Sequence, residues 1–545
     1  MRPFIPHLLL VAALAGAMPA APQAQSSGQT APQPPNAGIR LPALGDAGGE
    51  DFTIGIERRL GDQIMSELRR DRDYLDDPVL LDYVQSLWSP LVAAARQRGD
   101  IGVDNDGALA WETFLVRDRS VNAFALPGGY VGVHLGLIAM TTSGDELAAV
   151  LAHELSHVSQ RHIARRIASA GRQSIVAMAA MLLGLLAASR AGSGDAAQAA
   201  IVGSQAAMVQ GQLNFSRDME READRIGWGV HNSAGFAPAG VASMFEKMEY
   251  ASRLNDSGGY PYLRSHPLTV ERIGEARTRV EAAAGPRSAA PISLDHQLMQ
   301  ARARLLMDST VAALRRQQAM DAPAPAARAA DRTTALYASA MASLQLQDLA
   351  RAQAAVDAAL PLARSAAPGD ARAQRTLVLL QAQVLQANGQ AAQASRLLAA
   401  AAEASAPVGT RPLMLARAQA ALDASRPGGD TAAVRASAEA LQTWVAEHSA
   451  DATAWALLAQ CAEALGFRLR ALRAEAESRA ALGDIGGAMD RLRAAQRQAR
   501  SGTAAPDFIE ASIIDTRLRD LTALRRAQAA EARGERGGTK QETPP

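Results

Sequence analysis

The sequence predicts a mainly α-helical protein, with a small α+β unit built around one metal-binding helix and an array of helical segments behind it. Three observations carry this. Alanine is abundant and aromatic residues make up only 4% of the chain, a composition that favours helix over sheet. His153-Glu154-Leu155-Ser156-His157 sets two imidazoles four residues apart, which a helix places on one face. From about Thr333 the chain becomes a run of Ala-rich helical segments with short turns between them. At 545 residues it exceeds what one core organises, so at least two domains are expected. The balance of 56 Lys+Arg against 55 Asp+Glu leaves no charge excess to make nucleic acid the main partner.

The elements follow in order. Arg2 and His7 precede the apolar run Leu8 to Ala15, and small residues continue to Ala24. This is the order of a secretory signal peptide over 1–24, with cleavage between Ala17 and Ala24; the run is short for a membrane anchor. No cysteine lies near it, which disfavours a lipoprotein. Cys461 is the single cysteine, so no intramolecular disulfide is possible, and its Ala-rich setting suggests a buried structural thiol. Residues 25–50 read as a linker, rich in Gln, Ser, Pro and Gly.

A unit over 51–282 comes next. Ile56, Leu60, Ile64 and Leu68 recur at helical spacing, and a second helix is expected from Pro78 to about Arg96. Trp111 to Val116 reads as a strand. Asn122 to Val133 reads as a hairpin turning near Pro127-Gly128-Gly129, and Pro127, lacking a ladder donor, favours a sheet edge. Ser143 and Glu146 have the spacing of a capping box and open the helix that carries the histidines. Residues 175–188 are almost entirely apolar. A helix of that length spans roughly 21 Å, short of a hydrocarbon core of roughly 30 Å. It is read as a buried or flap-like helix, with interfacial membrane contact as the alternative. Residues 191–212 read as a flap near the site.

After about residue 283 the composition shifts. Residues 283–332 read as linker and connecting helices, 333–532 as a helical repeat domain, and 533–545, from about Gly534, as a polar disordered tail. The segments Leu349 to Ala352, Gln390 to Ala394 and Leu469 to Ala471 suit equivalent second-helix positions. Trp455 to Gly466 resembles the first helix of a tetratricopeptide repeat, although the spacing is irregular. A plain Ala-rich bundle is the competing description.

The chemistry sits in the first unit. Two histidines do not hold a catalytic zinc; a third protein ligand is needed. Glu154, beside the first histidine, suits a general base for an activated water. The segment Ser216 to Gly227 is charged yet helical, and Glu220 and Asp224 share a face. Glu220 suits a metal ligand and Asp224 an acceptor for the free N–H of a ligand histidine. A solvated helix face is the plain alternative for either carboxylate. His134, His162 and His231 are expected to be structural or solvated. These residues point to a zinc-dependent hydrolase, in first place a peptidase, with one Zn2+ per chain.

Together, the HExxH run, Glu220-Arg221-Glu222-Ala223-Asp224 and Asn122 to Gly129 resemble the zinc peptidase family that includes HtpX and the CAAX prenyl proteases. The signal peptide and helical C-terminal half resemble its periplasmic BepA-like (YfgC-like) subgroup. The resemblance implies a gluzincin-type α+β metallopeptidase domain followed by TPR-like repeats. It implies His153, His157 and Glu220 as metal ligands, Glu154 as catalytic base, and Asp224 supporting a ligand. Asn122, Ala123, Phe124 and Ala125 would align an extended substrate along an edge strand. Ser265-His266-Pro267 matches a later family motif whose histidine sits near the zinc. His266 would either stabilise the oxyanion or occupy the open zinc position in a latent state, with Arg264 assisting by charge. HtpX and the CAAX proteases carry full transmembrane helices, whereas this chain has only the short apolar run, which favours a soluble periplasmic enzyme. The implied function is an exported zinc endopeptidase, EC 3.4.24.-, in quality control and assembly of outer-membrane proteins. Its partners would be misassembled outer-membrane proteins and the outer-membrane assembly machinery, without nucleic acid and with possible peripheral membrane contact. The competing function is a non-proteolytic periplasmic chaperone or adaptor with a structural zinc; it would have no need of Glu154. An HtpX-like membrane-embedded protease is a third reading.

Overall fold

The computed structural model describes residues 52–169, 216–254, 261–283, 293–322, 327–404, 410–425, 431–500 and 507–538. The expected signal peptide, the linker, the apolar run 175–188 and the segment 191–212 lie outside the described residues.

Helix α1 (Ile54–Leu68) starts where Thr53 accepts the Ile56 N–H. β1 (Tyr74–Leu75) leads into α2 (Pro78–Arg98), capped by Asp77 and begun with proline, whose missing N–H is harmless at a first position. A short helix, α3 (Val103–Asp106), precedes β2 (Glu112–Val116), β3 (Ala123–Leu126) and β4 (Tyr130–His134). The sheet order is β1-β2-β4-β3; β3 pairs antiparallel with β4 and stands at an edge, as Pro127 requires. The hairpin closes through Gly128 and Gly129, at φ 82° and 89°, a backbone region that side chains rarely adopt.

α4 (Leu135–Met140) and α5 (Gly144–Ser159) follow directly. Ser143 accepts the Glu146 N–H at 3.3 Å, as expected of the cap. The returning arm falls one residue earlier than a capping box predicts: the Glu146 carboxylate accepts from Thr142 N and Oγ1, Ser243 and Lys247. After α6 (His162–Ser169) come α7 (Arg217–Ser233), α8 (Ala239–Leu254), α9 (Pro261–Ser265) and α10 (Val270–Ala283).

The stretch expected to connect the two halves contains α11 (Leu294–Met307) and α12 (Val311–Gln318). α11 is part of the first core: Leu294, Leu298, Met299 and Leu305 are buried with α2, α4 and α5 residues. His296 receives the Tyr83 hydroxyl at 2.6 Å and meets the Thr141 carbonyl at 2.9 Å.

The rest of the chain is helical: α13 (Ala329–Gln345), α14 (Leu349–Ala366), α15 (Ala371–Ala387), α16 (Ala391–Ala404), α17 (Arg411–Ala424), α18 (Ala432–Glu447), α19 (Ala452–Ala464), α20 (Arg468–Ala481), α21 (Ile485–Arg500) and α22 (Phe508–Gly538). Each helix packs on the next. The segments expected in second-helix positions open α14, α16 and α20. Helix α22 runs through Gly534, where a polar tail was expected, to Gly538; Ala, Arg and Glu there are good helix formers. Arginines tie this array to the first unit: Arg302 of α11, paired with Asp77, donates to the Tyr337 hydroxyl of α13, Arg372 pairs with Asp82 and Asp295, and Arg411 with Asp76. Among the described residues no helix is long and apolar enough to cross a membrane.

Candidate metal centre

α5 buries its entire motif: Glu154 and His157 are fully buried and His153 is 6% exposed. The Nε2 atoms of His153 and His157 lie 3.0 Å apart. α7 crosses α5 closely because Gly227 has no side chain; a Cβ there would meet the Ala152 carbonyl at 3.1 Å and His153 Cα at 3.2 Å. That approach brings Glu220 to 3.5 Å from each of the two imidazole Nε2 atoms. His266, just past α9, adds Nδ1 at 2.9 Å from Glu220 Oε1 and 3.4 Å from His153 Nε2.

His153, His157, Glu220 and His266 thus offer four ligand atoms within 4.8 Å of one another, all buried. Tetrahedral zinc with bonds of about 2.0–2.1 Å separates its donors by about 3.3 Å. The separations of His153 from His157 and His266, and of Glu220 from the three histidines, run from 2.9 to 3.5 Å and bracket that value. Three nitrogens and a carboxylate oxygen are also a donor set that zinc favours. The Glu154 carboxylate oxygens are buried, and Oε1 lies 3.5 Å from His266 Nε2. The residues present therefore fit a zinc ion with a carboxylate beside it.

The electrostatics agree. Burial raises the Glu154 pKa above the usual carboxylate value, opposed by the neighbouring His266 and His153. Burial also opposes charge on Glu220, but His266 and His153 outweigh it and hold the carboxylate strongly ionised. For His153, burial is again overcome, by Asp224 and Glu220, and its pKa rises to about 10.

Asp224 lies 3.0 Å from His153 Nδ1, the place expected for it. Arg272 carries no motif or spacing signal in the sequence. Its guanidinium grips both Asp224 oxygens, at 2.6 and 2.8 Å, lies 2.8 Å from Glu220 Oε2, and donates to the Pro267 carbonyl. It joins the metal-facing carboxylates of α7 to the His266 loop. Tyr262 stacks on His266 at 4.5 Å, also without a sequence signal. His162, expected to be structural or solvated, lies 2.9 Å from His157 and 3.1 Å from Glu222. Its pKa falls to about 4, chiefly through burial. His231 is structural, bonded to the Asp145 carbonyl. His134 is buried against Ser120. The side chain of Arg264 lies outside the described residues.

The edge strand adjoins this centre, since β3 packs on α5. Ala123 and Ala125 belong to the core that contains α5, while Phe124 turns to the other face, edge-on to Phe114 at 5.8 Å. Asn122 is buried and its carbonyl accepts from His134 N. Alternation along the strand leaves the backbone, not the Phe124 ring, as what β3 offers beside Glu154.

Residues 91–280 match peptidase family M48. The beta-barrel assembly-enhancing protease of Escherichia coli K12 is 34% identical over 260 residues, 47% of this chain and 50% of the relative. Its Vibrio cholerae counterpart is 39% identical over 271 residues, 48% and 52% of the two chains. The mitochondrial metalloendopeptidase OMA1 of Schizosaccharomyces pombe is 35% identical over 224 residues, 41% of this chain and 60% of that one. The chain spans about half the length of the first two. The fold and donor set agree with these likenesses: residues 91–280 resemble the metallopeptidases of family M48 and carry a buried donor cluster compatible with zinc.

Proposed function

We propose that this chain is an exported zinc endopeptidase that acts on outer-membrane proteins in the periplasm, with its helical array, of tetratricopeptide type, as the docking surface for clients and assembly partners. The observation that carries the catalytic part is the fully buried Glu154 carboxylate beside the four-donor cluster, 3.5 Å from His266 Nε2. A structural metal site has no need of it. The names of the bacterial relatives and the N-terminal run from Arg2 to Ala24 support the envelope setting.

In this reading His153, His157 and Glu220 hold the zinc, which when bound supplies Lewis acidity toward a water and the scissile carbonyl. Asp224 keeps the His153 ring oriented through Nδ1. Glu154 takes the water's proton and delivers it to the leaving amine; its raised pKa suits both transfers. β3 aligns the substrate as an added strand through its backbone.

His266 is the resting-state block. Its Nδ1, not its Nε2, faces the donors, where a fourth ligand would sit, while Nε2 faces Glu154. That orientation favours latency over an oxyanion role. Metal analysis with a casein-degradation assay tests both parts, using wild type, Glu154→Gln and His266→Ala. Bound zinc with activity abolished in Glu154→Gln is the expected result; full activity in that variant overturns the mechanism. Higher activity in His266→Ala is expected from latency, whereas loss of activity with zinc retained would assign His266 to the oxyanion.

A further inference from the structure

The two ligand histidines are supported differently. His153 Nδ1 meets a buried carboxylate, Asp224. His157 Nδ1 meets a second imidazole, His162, ring centroids 4.9 Å apart. His162 is fully buried, and its other nitrogen, Nε2, lies 3.1 Å from Glu222 Oε2. Glu222 is partly exposed and accepts from Arg165 at 2.8 Å.

This contact is not one a continuous helix would make. Residues five apart on an α-helix stand about 140° apart around the axis, so His162 would face away from His157. The helix instead breaks between them: Arg161 adopts φ 50°, a left-handed conformation that costs a non-glycine residue on the order of 1 kcal/mol. Arg161 is held there by Glu57 at 3.0 Å and by the Phe52 carbonyl at 3.1 Å. α6 then starts at His162 and returns the imidazole to the back of the metal ligand.

We propose that His162, anchored by Glu222, is a positioning residue for the metal: it accepts the Nδ1–H of His157 and so fixes the tautomer that presents Nε2 to zinc. The His157–His162 and His162–Glu222 contacts are consistent with this arrangement of hydrogens. With its Nε2 lone pair given to a cation, neutral His157 carries its hydrogen on Nδ1. His162 Nδ1 must then accept, which leaves the His162 hydrogen on Nε2, aimed at the Glu222 carboxylate. Without His162 the His157 N–H faces the protein interior with this partner gone, and the ring loses its orientation.

The inference rests on the metal centre proposed above. Its test is the zinc dissociation constant of the full-length chain, by competition with a chromophoric chelator, for wild type, His162→Leu, His162→Gln and Glu222→Ala, with a melting curve for each. Removing such a support lowers metal affinity roughly 10–100-fold, and His162→Leu should do so. His162→Gln keeps an acceptor oxygen and should bind close to wild type. Glu222→Ala, changed at the surface end, should weaken binding less than His162→Leu without loss of melting temperature. Wild-type affinity in a folded His162→Leu variant, or equal losses in Leu and Gln, overturns the inference. If His162→Leu does not fold, Glu222→Ala decides, and unchanged affinity there overturns it. A wild-type chain that binds no zinc would instead sink the metal reading itself. The absorption bands of the cobalt(II)-substituted protein give an independent readout and should shift in His162→Leu but not in His162→Gln.

Discussion

Around His153 the chain buries charge; along the seam between α13 and α14 it buries mostly uncharged side chains, many of them alanine. The metal centre packs three histidines, Glu154, Glu220, Asp224 and Arg272 with almost no exposure. The seam between α13 and α14 buries Ala338, Ala340, Ala342, Ala352, Ala355, Ala359 and Ala363. A charge out of water must have partners at set distances, so each residue in the first region depends on several others. Alanine asks only for close approach, so the second region spreads its stability thinly over many positions. Function should therefore be separable from folding in the first region, and folding from function in the second.

The largest effect tests the first half of that statement. Glu154→Gln removes a proton carrier and little volume, and should lower proteolysis by about 10²–10⁴-fold or more, with zinc content and melting temperature near wild type. Parallel loss of zinc would erase the distinction. Next in size is the joint between the regions. Arg302 is 7% exposed and pairs with Asp77 through two bonds of 2.7 Å. Arg302→Met strands the Asp77 carboxylate and should cost about 3–5 kcal/mol in denaturant unfolding. The array itself comes third. Leu441, fully buried in α18, is far in sequence from the centre, and Leu441→Ala should cost about 2–5 kcal/mol, leaving zinc affinity unchanged. A shift in zinc affinity would show that the regions are coupled more tightly than their packing implies.

The smallest test is a pH series. His134 is buried, and burial chiefly lowers its pKa to about 4, with Asp118 acting in the opposite direction. The unfolded chain, with an imidazole of ordinary pKa, binds the proton first. Its contribution is therefore complete above about pH 6.5 and fades as pH falls toward about 4. His134→Gln should flatten the melting temperature over that window; an unchanged slope assigns the acid sensitivity elsewhere.

Much of the centre was legible because it is written in local spacing. The i,i+4 histidines, Glu220 with Asp224, the Ser143 cap and the Pro127 turn each follow from the period of a helix or a strand. What escaped depends on chain geometry that spacing does not encode. His162 carries no spacing signal toward His157, because the Arg161 backbone that turns it back leaves no trace in a periodic pattern. Arg272 acts across three elements, and its separation from His266 follows no repeat. A composition shift near 283 looked like a boundary, yet α11 beyond it fills the first core.

That place of α11 has a practical side. The family match ends at residue 280, but the folding unit does not. A polypeptide ended there would lose the helix that covers Tyr83 and Thr141 and would leave an apolar groove open to water. Dissection of this protein should keep α11 together with the helices packed on it. Pieces ended between 280 and 293 should aggregate on expression, whatever the integrity of their metal ligands.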